Sequence, residues 1–144
     1  MTQEEKQLLI QDLCARLNTN LLCSIYRTDD EGVGYRDEIL HGYCKGDIWY
    51  EFYFREDCSI GIDNVSKIKP YLFPLSSMTN EQKKEYNRLR DFVPTYHYEY
   101  GDIVEDTELY DNLASISYLI DNHFDINEFI PTGLAIDATN LNIY

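Results

Sequence analysis

From Asp91 to Tyr144 the chain carries eleven Asp and Glu residues and no Lys or Arg, whereas residues 1–90 hold 15 acidic and all 12 basic residues. The last third of the chain must therefore fold without a cation of its own to pair its carboxylates, and it holds −11 of the formal net charge of −14. A field of this sign repels nucleic-acid phosphates and anionic membrane surfaces, and it speeds encounter with basic partners. Direct binding to nucleic acid or membrane is not expected, and a protein partner with a basic surface is. The competing reading is that the acidity serves solubility alone.

A chain of 144 residues has the size of one domain, and residues 1–144 are read as such. Thirteen Tyr against six Phe and one Trp give many large side chains a polar tip, a composition that favours interfaces and leaves homodimerisation open. No stretch approaches the roughly 20 apolar residues of a membrane span, and the N-terminus shows no secretory pattern. Cys14, Cys23, Cys44 and Cys58 contain no C-x-x-C pair, which fits reduced thiols in a cytoplasmic protein.

The pattern predicts an α+β fold: an antiparallel sheet of three to four strands from residues 21 to 62, an N-terminal helix and two C-terminal helices. Thr2 and Glu5 form a capping box ahead of the stripe Leu9, Ile10, Leu13, Cys14 and Leu17. Strands are expected at Leu21–Thr28 and Tyr35–Cys44, joined by a turn through Asp29 to Gly34, and at Ile48–Phe54. In the last, Ile48, Tyr50, Phe52 and Phe54 alternate with Trp49, Glu51, Tyr53 and Arg55, and the first set should face the core. A short segment is read at Ser59–Ile62, then a helical turn from Asn64 broken by Pro70, then an irregular connector from Phe73 to Met78. Thr79 and Gln82 form a second capping box opening a helix to about Phe92, stopped by Pro94, with Gln82, Tyr86, Leu89 and Val93 on one stripe. Tyr96–Tyr100 reads as a short strand. A helix from about Asp106 to Asn122 follows, its buried face Leu109, Leu113, Ile116 and Ile120, and the tail from Phe124 reads as a short turn and an extended piece.

The run Lys69-Pro70-Tyr71-Leu72-Phe73-Pro74-Leu75-Ser76-Ser77-Met78-Thr79, with Glu81-Gln82, resembles a motif of small uncharacterised proteins encoded by gut Bacteroidales and their phages. A second block, His123-Phe124-Asp125 with Ile130-Pro131 and Gly133-Leu134-Ala135, is similar to the same family's C-terminal signature. The resemblance implies a cytoplasmic, phage- or mobile-element-associated setting, and no activity, cofactor or catalytic residue.

Candidate chemistry is thin. His41, His97 and His123 lie far apart without metal-ligand spacing, so no metal or cofactor is expected. Asp29-Asp30-Glu31-Gly32 reads as a hairpin turn, since a calcium loop would need a twelfth-position ligand where Leu40 stands. A thiol nucleophile would require Cys44 or Cys58 to meet His41 or His97 in the fold. Acid pairs such as Glu105 with Asp106 lack any sign of a cleft. No catalytic residue is assigned, and the expected function is non-enzymatic binding of a protein partner. The alternatives are a nucleic-acid-mimicking inhibitor of a host defence or DNA-handling protein, and a small hydrolase. The preferred interaction patch is Tyr96, Tyr98, Tyr100, Glu105, Asp106, Glu108, Asp111, Tyr118 and Asp121, and a second is Trp49 with Tyr53.

Overall fold

A computed structural model describes residues 1–29, 32–45, 50–55 and 58–144, without the side chains at 29, 44, 45, 55, 92, 93, 95, 97, 98 and 104–108. The expected α+β class is found. The chain divides into two compact units, Met1–Ser77 with Ile120–Tyr144, and Met78–Leu119.

The first unit opens with α1 (Gln3–Ala15), and the Thr2–Glu5 capping box is formed in both directions. A four-stranded sheet follows from β1 (Leu22–Asp29), β2 (Gly32–Ile39), β6 (Ile68–Leu72) and β9 (Ile136–Asp137), in the order β2-β1-β6-β9. Its pairs are antiparallel except β6 with β9. A second, antiparallel sheet has the order β3-β4-β5, from Gly42–Lys45, Tyr50–Arg55 and Cys58–Gly61. The expected single sheet is thus two. The strand anticipated at Tyr35–Cys44 breaks at Leu40–His41, where Leu40 N–H donates to Leu21 O and His41 N–H donates to Tyr53 O, each at 2.8 Å. Those two bonds hand the chain from one sheet to the other.

Leu9 and Leu13 of α1 pack with Cys23 and Ile25 of β1, Phe52 and Phe54 of β4, and Ile68 and Leu72 of β6 in the core. Phe52 and Phe54 point inward as the alternation predicts, whereas Tyr50 is exposed and stacked on Tyr43. Ile48 and Trp49 lie outside the described residues. Pro70 does not prevent a strand: β6 pairs with β1 through Cys23↔Pro70, and β9 joins its other side only from Tyr71. The helical turn expected from Asn64 is a 3-10 turn over Ile62–Lys67 that ends before the proline. In the tail, α4 (Phe129–Thr132) and β9 match the expected turn and extended piece.

The two blocks of the resemblance meet here. Phe73 N–H donates to His123 O at 2.9 Å, Asp125 N–H donates to Phe73 O at 2.8 Å, and Ala138 N–H donates to Leu72 O at 2.9 Å. The Asp125 carboxylate is buried and accepts the N–H groups of Phe129 and Ile130, so a carboxylate from the cation-free segment is satisfied by backbone.

Arg16, fully buried at the C-terminal end of α1, closes this seam. Its Nε and one Nη hold Asp12 at 2.7 and 3.1 Å, and its guanidinium donates to Ile120 O at 3.2 Å and to Phe124 O at 2.8 Å. Asn127 adds a bond to Asp12 at 3.0 Å. Removing the cation leaves a buried carboxylate without its counter-charge and the Phe124 carbonyl without this donor, while Ile120 O still accepts from His123 N–H at 3.0 Å. Arg16→Met is therefore expected to lose about 3–5 kcal/mol in urea unfolding. Asp12→Leu combined with Arg16→Met should recover part of that, because no charge is then left unpaired, and remain below the wild type because the Phe124 carbonyl stays unpaired.

Beside Arg16, the His123 ring stacks on Tyr144 with centroids 4.1 Å apart, and its Nδ1 has no hydrogen-bond partner among the described residues. Burial, and then the Arg16 charge, push its pKa from 6.5 down to about 4, against a smaller opposing effect of Asp121. The unfolded chain takes up this proton first, so the neutral ring contributes stability above about pH 6.5 that is lost as the pH falls towards 4. His123→Phe should flatten unfolding stability between those limits, by up to about 3 kcal/mol, in pH-dependent denaturation.

Candidate functional site

The second unit contains α2 (Asn80–Leu89), β7 (Asp91–Glu99), β8 (Asp102–Tyr110) and the first seven residues of α3 (Leu113–Asp121). The Thr79–Gln82 capping box is formed in both directions. The helix stops at Leu89 rather than near Phe92, since pairing claims the chain from Asp91, and the expected stripe of Gln82, Tyr86 and Leu89 is only half-buried. Pro94 lies within β7, opposite Thr107, a position tolerated because each strand of a two-stranded sheet is an edge.

The helix expected from Asp106 does not begin there. Residues 102–110 pair along their whole length with β7, and α3 starts after Asn112. Asn112 and Ser115 cap that helix reciprocally: Ser115 N–H donates to the Asn112 side chain and Asn112 N–H to the Ser115 hydroxyl, both at 2.9 Å. Leu109 thus belongs to a strand. The face predicted to be buried is not: Leu113 is 82% and Ile116 38% exposed, and Ser115 and Leu119 are the buried residues of α3.

The β7–β8 hairpin turns through Tyr100 and Gly101, with φ of 52° and 90°, a pair of left-handed residues suited to a tight hairpin turn. Its unbroken register, from Asp91↔Tyr110 to Glu99↔Asp102, sorts positions onto two faces, since opposed residues share a face and successive ones alternate. Five carboxylate positions, Asp91, Glu99, Asp102, Asp106 and Glu108, fall on one face together with Val93, Thr95, His97, Val104 and Tyr110. Phe92, Pro94, Tyr96, Tyr98, Ile103, Glu105 and Leu109 fall on the other. On that second face Tyr96 is 65% and Ile103 64% exposed, an unusual display for large apolar side chains.

The anticipated patch divides accordingly. Tyr100 is fully exposed but sits at the turn rather than on the strand face. Glu105 shares a face with Tyr96, opposite to that of Asp106 and Glu108, and the side chains of Tyr98 and these three acids lie outside the described set. Asp111 is a structural residue. It accepts from the Tyr86 hydroxyl, accepts from Ser115 at 3.3 Å, and lies 3.1 Å from Arg90 Nε in an ion pair too poorly angled to be a hydrogen bond. Burial, and then the Asp111 contact, push the Tyr86 hydroxyl up to about 12. Arg90 also donates to Leu109 O, so this cluster ties α2 to the end of β8. Tyr118 is half-buried on α3, and Asp121 is exposed at that helix's last residue, in the other unit. Of the second patch, Trp49 lies outside the described residues and Tyr53 is half-buried in β4 between Gly42 and Ser59.

Sequence reasoning missed Ile103, and it missed Val33 and Tyr35, which are 70% and 64% exposed on β2. The alternation of Val33, Tyr35, Asp37 and Ile39 was the available signal.

Burial pushes the Cys14 and Cys23 thiols up, the direction of an inert thiol. Among the described residues no group of three or more His, Cys, Asp or Glu could hold a metal ion, and no helix is long and apolar enough to cross a membrane. No family model matches the chain, and no curated protein or solved structure is significantly similar to it.

Proposed function

We propose that this chain is a non-enzymatic interaction protein that uses the β7–β8 hairpin to engage a protein with a basic surface. The observation that carries this reading is the sorting of the hairpin, with five carboxylate positions on one face and exposed Tyr96 and Ile103 on the other. Asp91, Glu99 and Asp102 of the acidic face are exposed. A hairpin of two strands is marginal by itself, and a partner that covers it supplies the missing layer. The proposed setting is the cytoplasm of a bacterium carrying a phage or mobile element, drawn from the resemblance of Lys69–Thr79 and its second block.

The same face supports a narrower reading, mimicry of a nucleic-acid backbone. Asp106 and Glu108 stand two residues apart on one strand, about 7 Å. Duplex DNA would then displace the chain from its partner.

The test is a pull-down from native lysate at low and high salt, with the wild-type chain beside the variant D91N, E99Q, D102N, D106N, E108Q. Capture that salt releases, and that the variant reduces about tenfold or more, is expected. Equal capture by both chains contradicts the proposal. If capture instead survives salt and fails with Tyr96→Ser and Ile103→Ser, the apolar face is the contact, and a second copy seen by light scattering would make it a homodimer interface.

A further inference from the structure

A cleft of about 230 Å³ opens in the first unit between residues 26–28 of β1 and 59–61 of β5, with Asn64 and Lys67 of the 3-10 turn as its remaining wall. Among the described residues, both flanking strands present an edge without a strand on it. β1 pairs with β2 along its length, but with β6 only from Cys23 to Ile25. β5 is the terminal strand of its sheet.

The direction of the β1 backbone groups follows from alternation. Leu21 O accepts from Leu40 on the β2 side, so odd-numbered residues of β1 turn toward β2 and even-numbered ones away from it. Leu22 confirms this: its N–H donates at 3.1 Å to the Tyr144 hydroxyl, which in turn donates at 3.0 Å to Tyr71 O of β6. Tyr144 thereby fills the ladder at one end of β1. At the other end Thr28 turns its backbone groups to the cleft.

The charges are arranged as well. Arg27 lines the cleft, and Lys67, half-buried, forms no ion pair among the described residues. A second cleft of about 310 Å³ adjoins the first through Ser59, Gly61 and Asn64, and it carries Glu51 and Asp63, the latter in an ion pair with Lys6 at 3.3 Å. Lys67 therefore leaves a positive charge at the β1 end of the groove.

We infer that this groove takes an extended peptide segment, paired to the β1 edge in line with β6 and carrying an acidic side chain to Lys67. A strand edge is a template for another strand, and charge at a groove end selects side chains and direction. A small oxyanion would use Lys67 and leave the edges idle. The inference is independent of the hairpin, because every residue lining the groove belongs to the other unit.

The experiment titrates the ¹⁵N-labelled full chain with the blocked hexapeptide Thr-Val-Glu-Val-Thr-Val, its counterpart with Lys in place of Glu, and inorganic phosphate. Saturable amide shifts at Thr28, Ser59 and Gly61, slowed exchange of the Thr28 amide, and at least about tenfold preference for the Glu peptide are expected. Lys67→Gln should erase the preference and Lys67→Glu reverse it. Absence of saturable shifts, equal affinity for both peptides, or complete competition by phosphate would overturn the inference.

Discussion

A guanidinium at the end of α1 holds together parts of the chain more than a hundred residues apart. Arg16 reaches Asp12 within its own helix and the carbonyls of Ile120 and Phe124 across the core. Both charges are removed from water, so each is tolerable only while the other is in place. The cost of desolvating Arg16 is offset by hydrogen bonds to four acceptors, one more than the three donors of a lysine could meet. The return of residues 120–144 to the first unit, the bridge of Phe73 to Phe124 and the His123–Tyr144 stack all sit around this group.

That dependence explains which parts of the sequence could be read. Capping boxes at Thr2 and Thr79 are local, each complete within four residues, and both form. The alternation of Phe52 and Phe54 reports one strand's inward face and is correct for the same reason. Errors cluster where a distant partner decides. Residues 102–110 carry apolar spacing compatible with a helix from Asp106 to Asn122, yet pairing with β7 wins over that periodicity. Pro70 and Pro94 look like breakers, but each occupies a strand position where a missing N–H opens no gap. The Asn112–Ser115 cap was visible in principle and would have moved the helix start to its true place. Arg16 itself gave no sign, because nothing in a helix of mixed charge marks one arginine as buried.

The acid-rich last third divides in the fold into two treatments of charge. Asp111 and Asp125 are consumed by structure, one by Tyr86, Ser115 and Arg90, the other by backbone N–H groups at α4. Five of the six hairpin carboxylate positions are sorted instead onto a single face, Glu105 being on the other. This separation gives the binding proposal its content, since a charge used for solubility alone has no need of register. The site was therefore legible as a composition, and its geometry was not, because the register of β7 against β8 sets which residues share a face.

Amide hydrogen exchange in the free chain tests most directly whether the hairpin is a structure that a partner completes. Amides of β7 and β8 should exchange through local opening, at least about a hundredfold faster than those of β1 and β6 in the core of the first unit. Hairpin amides as slow as those of β1 and β6 in the free chain would contradict it.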